Sequence, residues 1–180
     1  MPVQSWLMVA NGPESGSGQA SGTTYNSSAA ATDVSPAPQF FSQTWAPMRV
    51  GQRWRFTGYA IASNTGTPTL NLGVYYGGVA GVAMITSGAV TTTTAMTNWW
   101  WRIEVNSEVI TTGSSGTIRS YGWIDIPTSA TAVTRQQMSA TAQDVTINTT
   151  TNSALTFGAT WGTSNASNTL TVKGWVIEQN

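Results

Sequence analysis

The side chains in this chain that could do chemistry are few, and they are carboxylates. Glu104, Glu108, Asp125 and Asp144 are the acids from which a pair could be drawn for glycoside hydrolysis, a reaction that two carboxyls can run without histidine. Glu104 and Glu108 fall on the same face of one extended run, but four residues at ~3.3 Å each set their backbones about 13 Å apart. Catalytic carboxyl pairs span roughly 5 to 9.5 Å. Asp125 or Asp144 could approach either one across a sheet. The competing reading is that these acids pair with Arg102, Arg119 or Arg53 on neighbouring strands, each such contact contributing about 0.2 to 1 kcal/mol. That reading is preferred, so no catalytic residue is assigned and the chain is read as non-enzymatic.

What is missing narrows the chemistry further. The 180 residues include no histidine and no cysteine. Ser-His-Asp triads, thiolate chemistry and zinc sites are therefore excluded, and no metal or other cofactor is expected. Seven basic and seven acidic residues leave zero net charge, and only 8% of residues are charged against the usual ~25%. The six arginines and one lysine are scattered, so the electrostatic term that dominates nucleic-acid binding is absent and nucleic acid is not an expected partner. Solubility must come from Thr, Ser, Asn and Gln. No segment approaches the ~20 apolar residues of a membrane span, and the start Met1-Pro2-Val3-Gln4-Ser5-Trp6 lacks the basic segment of a signal peptide. With so little that titrates near neutrality, stability is expected to be nearly flat between about pH 5 and 9.

The positive signal is aromatic. Nine tryptophans include three in succession at Trp99, Trp100 and Trp101. Strand alternation forces Trp100 onto the face opposite its neighbours, where it joins Tyr59, Tyr121 and Trp123 as candidate interface or ligand-contacting aromatics. Three environments are open for them: a subunit interface, the interior of the domain, or a carbohydrate platform. Trp54, Trp99, Trp101, Phe157 and Trp161 are assigned to the core. Trp175 alternates away from Leu170, Val172 and Val176, so its side is left open.

The elements that must position these residues are strands. Apolar alternation at period two recurs, and no long stretch carries the i, i+3, i+4, i+7 pattern of a helix. From Gln52, Trp54, Phe56, Gly58 and Ala60 alternate with Arg53, Arg55, Thr57 and Tyr59, and Ser63-Asn64-Thr65-Gly66 follows as a turn. Leu70, Leu72, Val74 and Tyr76 share one face of the next run, ended by Gly77-Gly78. Further strands are expected over Val82–Ser87, Asn98–Thr112, Thr117–Ile126, Asp144–Thr149, Ala154–Trp161 and Thr169–Glu178. The fold class is therefore all-β, an antiparallel β-sandwich or jelly roll over 39–180. Residues 1–38, rich in Gly, Ser, Ala, Thr and Pro, form an extended low-complexity N-terminal arm that needs its own domain or a neighbouring subunit to hold it.

Three phrases carry a family likeness: Gly66-Thr67-Pro68-Thr69-Leu70-Asn71-Leu72-Gly73-Val74, Thr86-Ser87-Gly88-Ala89-Val90-Thr91 and Thr112-Gly113-Ser114-Ser115-Gly116-Thr117. Together with the ending Gly162 to Val172 and Val176-Ile177-Glu178, they resemble β-rich structural proteins of tailed bacteriophages. The resemblance covers roughly Gln52 to Asn180. It implies a jelly-roll or β-sandwich protein of the capsid decoration, head-fibre or tail-associated type, located on the virion surface after assembly in the host cytoplasm. It further implies a homo-oligomer, commonly a trimer, whose partners are the major capsid protein or other virion proteins. A host glycan is the alternative partner, met through the exposed aromatics. No family catalytic residue is carried over.

Overall fold

The computed structural model describes residues 48–140, 142–151 and 153–179, together with the strand backbones Leu7–Asn11 (β1), Thr32–Asp33 (β2) and Gln39–Phe41 (β3). The remaining strands are Arg53–Ser63 (β4), Thr69–Tyr76 (β5), Val82–Thr86 (β6), Val90–Thr91 (β7), Trp99–Thr111 (β8), Gly116–Pro127 (β9), Val133–Met138 (β10), Val145–Ile147 (β11), Ser153–Trp161 (β12) and Thr169–Gln179 (β13). The described residues contain no helix, as the period-two patterning requires.

All pairings are antiparallel and sort the strands into two sheets. The larger runs β1-β13-β4-β8-β9-β10 with β11 also on β9, and the smaller runs β2-β12-β5-β6 with β3 on β12 and β7 on β5. Eight of these strands, β1, β3, β4, β5, β6, β8, β12 and β13, obey a simple rule. The first, last, third and sixth lie side by side in one layer, and the second, seventh, fourth and fifth in the other. That is the connectivity of a jelly roll, two Greek keys wrapped into a sandwich. β9, β10 and β11 are inserted between the sixth and seventh strands and widen the larger sheet.

Most of the expected arm lies outside the described residues. Its described parts are strands of the sandwich: β1 pairs Leu7 with Gln179 and Asn11 with Val176, and β2 pairs Thr32 and Asp33 with Ala159 and Gly158. Of the runs beyond residue 48, those that sequence reading missed are short or polar. β7 has two residues, and β10 reads Val-Thr-Arg-Gln-Gln-Met with five of six positions exposed, so no buried face imposed an alternation.

The core is the interleaving of the two inner faces. Trp54, Phe56, Ala60 and Ala62 on β4 and Trp101, Ile103, Val105 and Val109 on β8 meet Leu70, Leu72, Val74 and Tyr76 on β5 and Leu155, Phe157, Ala159 and Trp161 on β12. At its centre Phe56 meets Phe157 edge-on across the layers, 5.7 Å between ring centres at 63°, and stacks on Trp175 at 6.2 Å and 16°. Trp99, expected in the core, is half-buried and packs against its margin. Trp175 is buried because the pairing of β13 with β4 shifts between Val172 and Gly174. The extra residue, Lys173, reverses the alternation beyond it, so Trp175 and Ile177 turn inward and Val176 turns outward.

On one side the two sheets are joined. Thr86 at the end of β6 and Ser139 just after β10 exchange both backbone hydrogen bonds, each 2.9 Å.

Candidate interaction face

The outward side of the larger sheet collects the polar and aromatic residues that the core rejects. Read across β13, β4, β8, β9 and β10, the register sets them in rows. One row is Arg53, Glu108, Arg119. The next is Glu178, Arg55, Asn106, Tyr121, followed by Val176, Thr57, Glu104, Trp123, Gln137. Then come Tyr59, Arg102, Asp125, Arg135, and finally Thr171, Ile61, Trp100.

All four aromatics expected on this side stand there: Tyr59 is 39% exposed, Trp100 57%, Tyr121 57% and Trp123 41%. With Val133 on β10, they are five of the six large hydrophobic residues exposed among the described residues, the sixth being Val50 in the turn before β4. Tyr59 and Trp100 are diagonal neighbours at about 7 to 8 Å. Tyr121 and Trp123 follow each other along β9 at ~6.6 Å, whereas Trp123 lies about 14 Å from Trp100. The aromatics are thus spread over the face instead of lining a single track.

The approach to β8 fixes Trp100. Buried Asn64 donates from Nδ2 to Thr92 Oγ1 at 2.6 Å and to the Thr93 carbonyl at 2.8 Å, and its Oδ1 accepts from the Met96 N–H at 2.7 Å. Asn98 takes a positive φ of 53° and its N–H donates to Ser63 Oγ at 2.9 Å. An asparagine tolerates that left-handed conformation, and it turns the chain into the strand with Trp100 outward.

Between the aromatics the charges neutralise one another. Arg119 grips Asp144 with two hydrogen bonds, Nε to Oδ1 at 2.7 Å and Nη2 to Oδ2 at 3.0 Å, and Arg135 grips Asp125 with the same geometry and lengths. Arg55 Nε donates to Glu178 Oε2 at 2.6 Å, Arg102 Nη2 to Glu104 Oε2 at 2.9 Å, and Arg53 lies 3.4 Å from Glu108. Each of the five described carboxylates therefore sits in an ion pair on this face. Hydrogen bonding to Arg119 holds Asp144 below the usual carboxylate range, and the bonded carboxylates raise Arg55, Arg119 and Arg135 above the ordinary arginine value. Arg102 also lies over the Tyr59 ring, 5.8 Å from its centre.

This arrangement bears on the hydrolase reading. A general acid must hold its proton near neutrality, which needs a raised pKa. Asp144 is shifted the other way. Glu104, Glu108, Asp125 and Asp144 have distinct guanidinium partners, and the register does not set any two of them opposite each other. Among the described residues no three His, Cys, Asp or Glu side chains gather as metal ligands.

The face carries two depressions. One, of about 350 Å³, is lined by Arg55, Tyr59, Arg102, Glu104, Val176 and Glu178. The other, of about 200 Å³, lies where Arg53, Asn106, Glu108 and Tyr121 meet. No family model, curated protein or solved structure matches the chain. Sequence reading missed Val133, Ile61 and Val176 as members; the first sits on an unrecognised strand and the last beyond the bulge.

Proposed function

We propose that this chain is a bacteriophage virion surface protein of the capsid decoration type, non-enzymatic, working as a homo-oligomer that holds the shell together. The observation that supports it best is the composition of the outward face of the larger sheet. Trp, Tyr and Arg are the residues that dominate the energy of protein interfaces, and here they share one face of a chain that is otherwise almost uncharged. The jelly-roll connectivity, an architecture used by viral capsid proteins and lectins alike, is compatible with the resemblance of the turn phrases, although a fold alone does not assign a role.

The mechanism is mass action. A protein that binds the assembled lattice and not its dissociated parts stabilises the lattice by its binding free energy. Light scattering on the purified protein, followed by sedimentation with capsids stripped of accessory proteins, tests the reading. An oligomer that sediments with the capsids is the expected result, and a protein left in the supernatant at every concentration would sink it. Truncation at residue 38 is a poor test, because it also removes β1 and β2 from the edges of the sheets.

A second reading, a receptor-binding module for host glycans, draws on the 350 Å³ depression beside Tyr59. It predicts a sugar-dependent change in tryptophan fluorescence that Trp100→Ala or Trp123→Ala removes.

A further inference from the structure

We infer that the outward face of the larger sheet pairs face to face with the same face of a second copy, as an isologous two-fold dimer. The inference rests on the assembly reading above and names the partner of that surface.

Four observations carry it. The first is charge. Five positive and five negative groups on the face are joined in ion pairs, and Lys173 on β13 adds one further positive charge, so the surface is close to neutral and meets its own copy with little net repulsion. The second is area. Five strands at ~4.8 Å by an 11-residue strand at ~3.3 Å per residue give a patch of roughly 24 by 36 Å, on the order of 850 Å² per copy. A stable interface needs about 800 Å² per partner.

The third is shape. The exposed Trp100 and the 350 Å³ depression beside Tyr59 lie on the same face, one diagonal apart. In a closed three-fold ring each subunit offers two different surfaces, whereas a two-fold pair uses one surface twice. Projection and depression on a single face fit the second case, each Trp100 entering the partner's depression. The two-fold pair therefore replaces the trimer that the family resemblance implied.

The fourth separates a protein partner from a sugar. The acids and the guanidinium groups of Arg53, Arg55, Arg102, Arg119 and Arg135 are turned toward one another, and aliphatic Val133, Ile61 and Val176 share the surface. Such side chains add contact area for a protein and little for a hydroxylated ligand.

The chain has no cysteine, so a single introduced thiol reports its own neighbour. Tyr59→Cys and Arg102→Cys lie in the row midway between Trp100 and the floor of the depression, where the two-fold axis that exchanges the two brings a residue against itself. Ser164→Cys, on the exposed loop before β13, serves as the control. Under a mild oxidant at least one of the two central variants should give a covalent dimer while the control stays single, and light scattering of the unmodified protein should give twice the chain mass. Trp100→Ala and Tyr121→Asp should each weaken self-association about tenfold or more while the thermal transition at low concentration is unchanged. A monomer at every concentration would overturn the inference. So would a trimer without central cross-links, or a monomer whose fluorescence responds to sugar. A two-fold dimer that ignores stripped capsids supports the inference and counts against the virion reading alone; a monomer that sediments with capsids does the reverse.

Discussion

The outward faces of the two sheets handle the same residue type in opposite ways. On the smaller sheet Tyr75 points away from the core, yet it is only 8% exposed. Opposite glycines explain this: Gly73 and Gly158 are register partners, and a Cβ on either would meet the Tyr75 ring, at 3.0 and 2.5 Å. The ring lies flat in the groove that the missing side chains leave, and Val79, on the turn opened by Gly77 and Gly78 with φ of 86° and 80°, approaches the same glycine. On the larger sheet Tyr121 sits opposite Asn106 and diagonal to Glu104 and Glu108, so no pair of glycines makes a bed for the ring and it stands out into solvent. A sheet surface is closed by its own chain where glycines make room for an aromatic, and left exposed where they do not.

The sharpest way to break this contrast is to remove each tyrosine. Tyr75→Ala should cost about 3 kcal/mol of unfolding free energy in a urea titration, as a buried aromatic does. Tyr121→Ala should stay within about 0.5 kcal/mol for the isolated chain. Equal costs would mean that the two faces are not different in kind. A smaller effect follows from filling the groove. Gly158→Ala forces a Cβ into the Tyr75 ring and should destabilise by about 1 to 3 kcal/mol, read as a lower midpoint with an unchanged slope.

The smallest expected effect is that of pH. The carboxyl of Asp144 is held below its unfolded value, so its contribution is complete above about pH 4 and is lost as pH falls through the depressed value. Burial raises Tyr75 and Tyr76, so stability declines only above about pH 10, where the unfolded chain ionises and the folded one does not. A scan of melting temperature should be level between these limits, and Asp144→Asn should blunt its acid arm. A step near pH 6.5 would contradict it.

Much of the fold could be read in advance, for a physical reason. Where one face of a strand is buried and the other wet, side chains must alternate, and β4, β5 and β8 announce themselves through Trp54 to Ala60, Leu70 to Tyr76 and Trp101 to Val105. The same alternation placed Tyr59, Trp100, Tyr121 and Trp123 on one side, and the expectation that the acids pair with Arg53, Arg102 or Arg119 named the guanidinium groups without their individual partners: Arg53 takes Glu108 across the sheet and Arg119 takes Asp144, whereas Arg102 takes Glu104 from its own strand. The rest lacked a signal. β10 is exposed on both faces, so nothing in its composition marked it, and Arg135 was therefore missed as the partner of Asp125. The bulge at Lys173 turns on the pairing of β13 with β4, a contact more than a hundred residues away in the chain. Whether an outward aromatic lies down or stands up depended on glycines across the sheet, as Tyr75 shows.

The bridge between Thr86 and Ser139 gives the sandwich the build of a book. Its spine is two hydrogen bonds long, and its fore-edge is where β1 lies along one cover and β2 and β3 along the other. Such a body has a direction in which it opens. A pull applied through the beginning of the chain starts at the fore-edge and meets one strand pairing at a time, whereas the spine yields only when both covers have already parted. Load entering there reaches the least cooperative edge first, and the aromatics on β4, β8 and β9, two to four strands in from β1, keep their places while that edge gives.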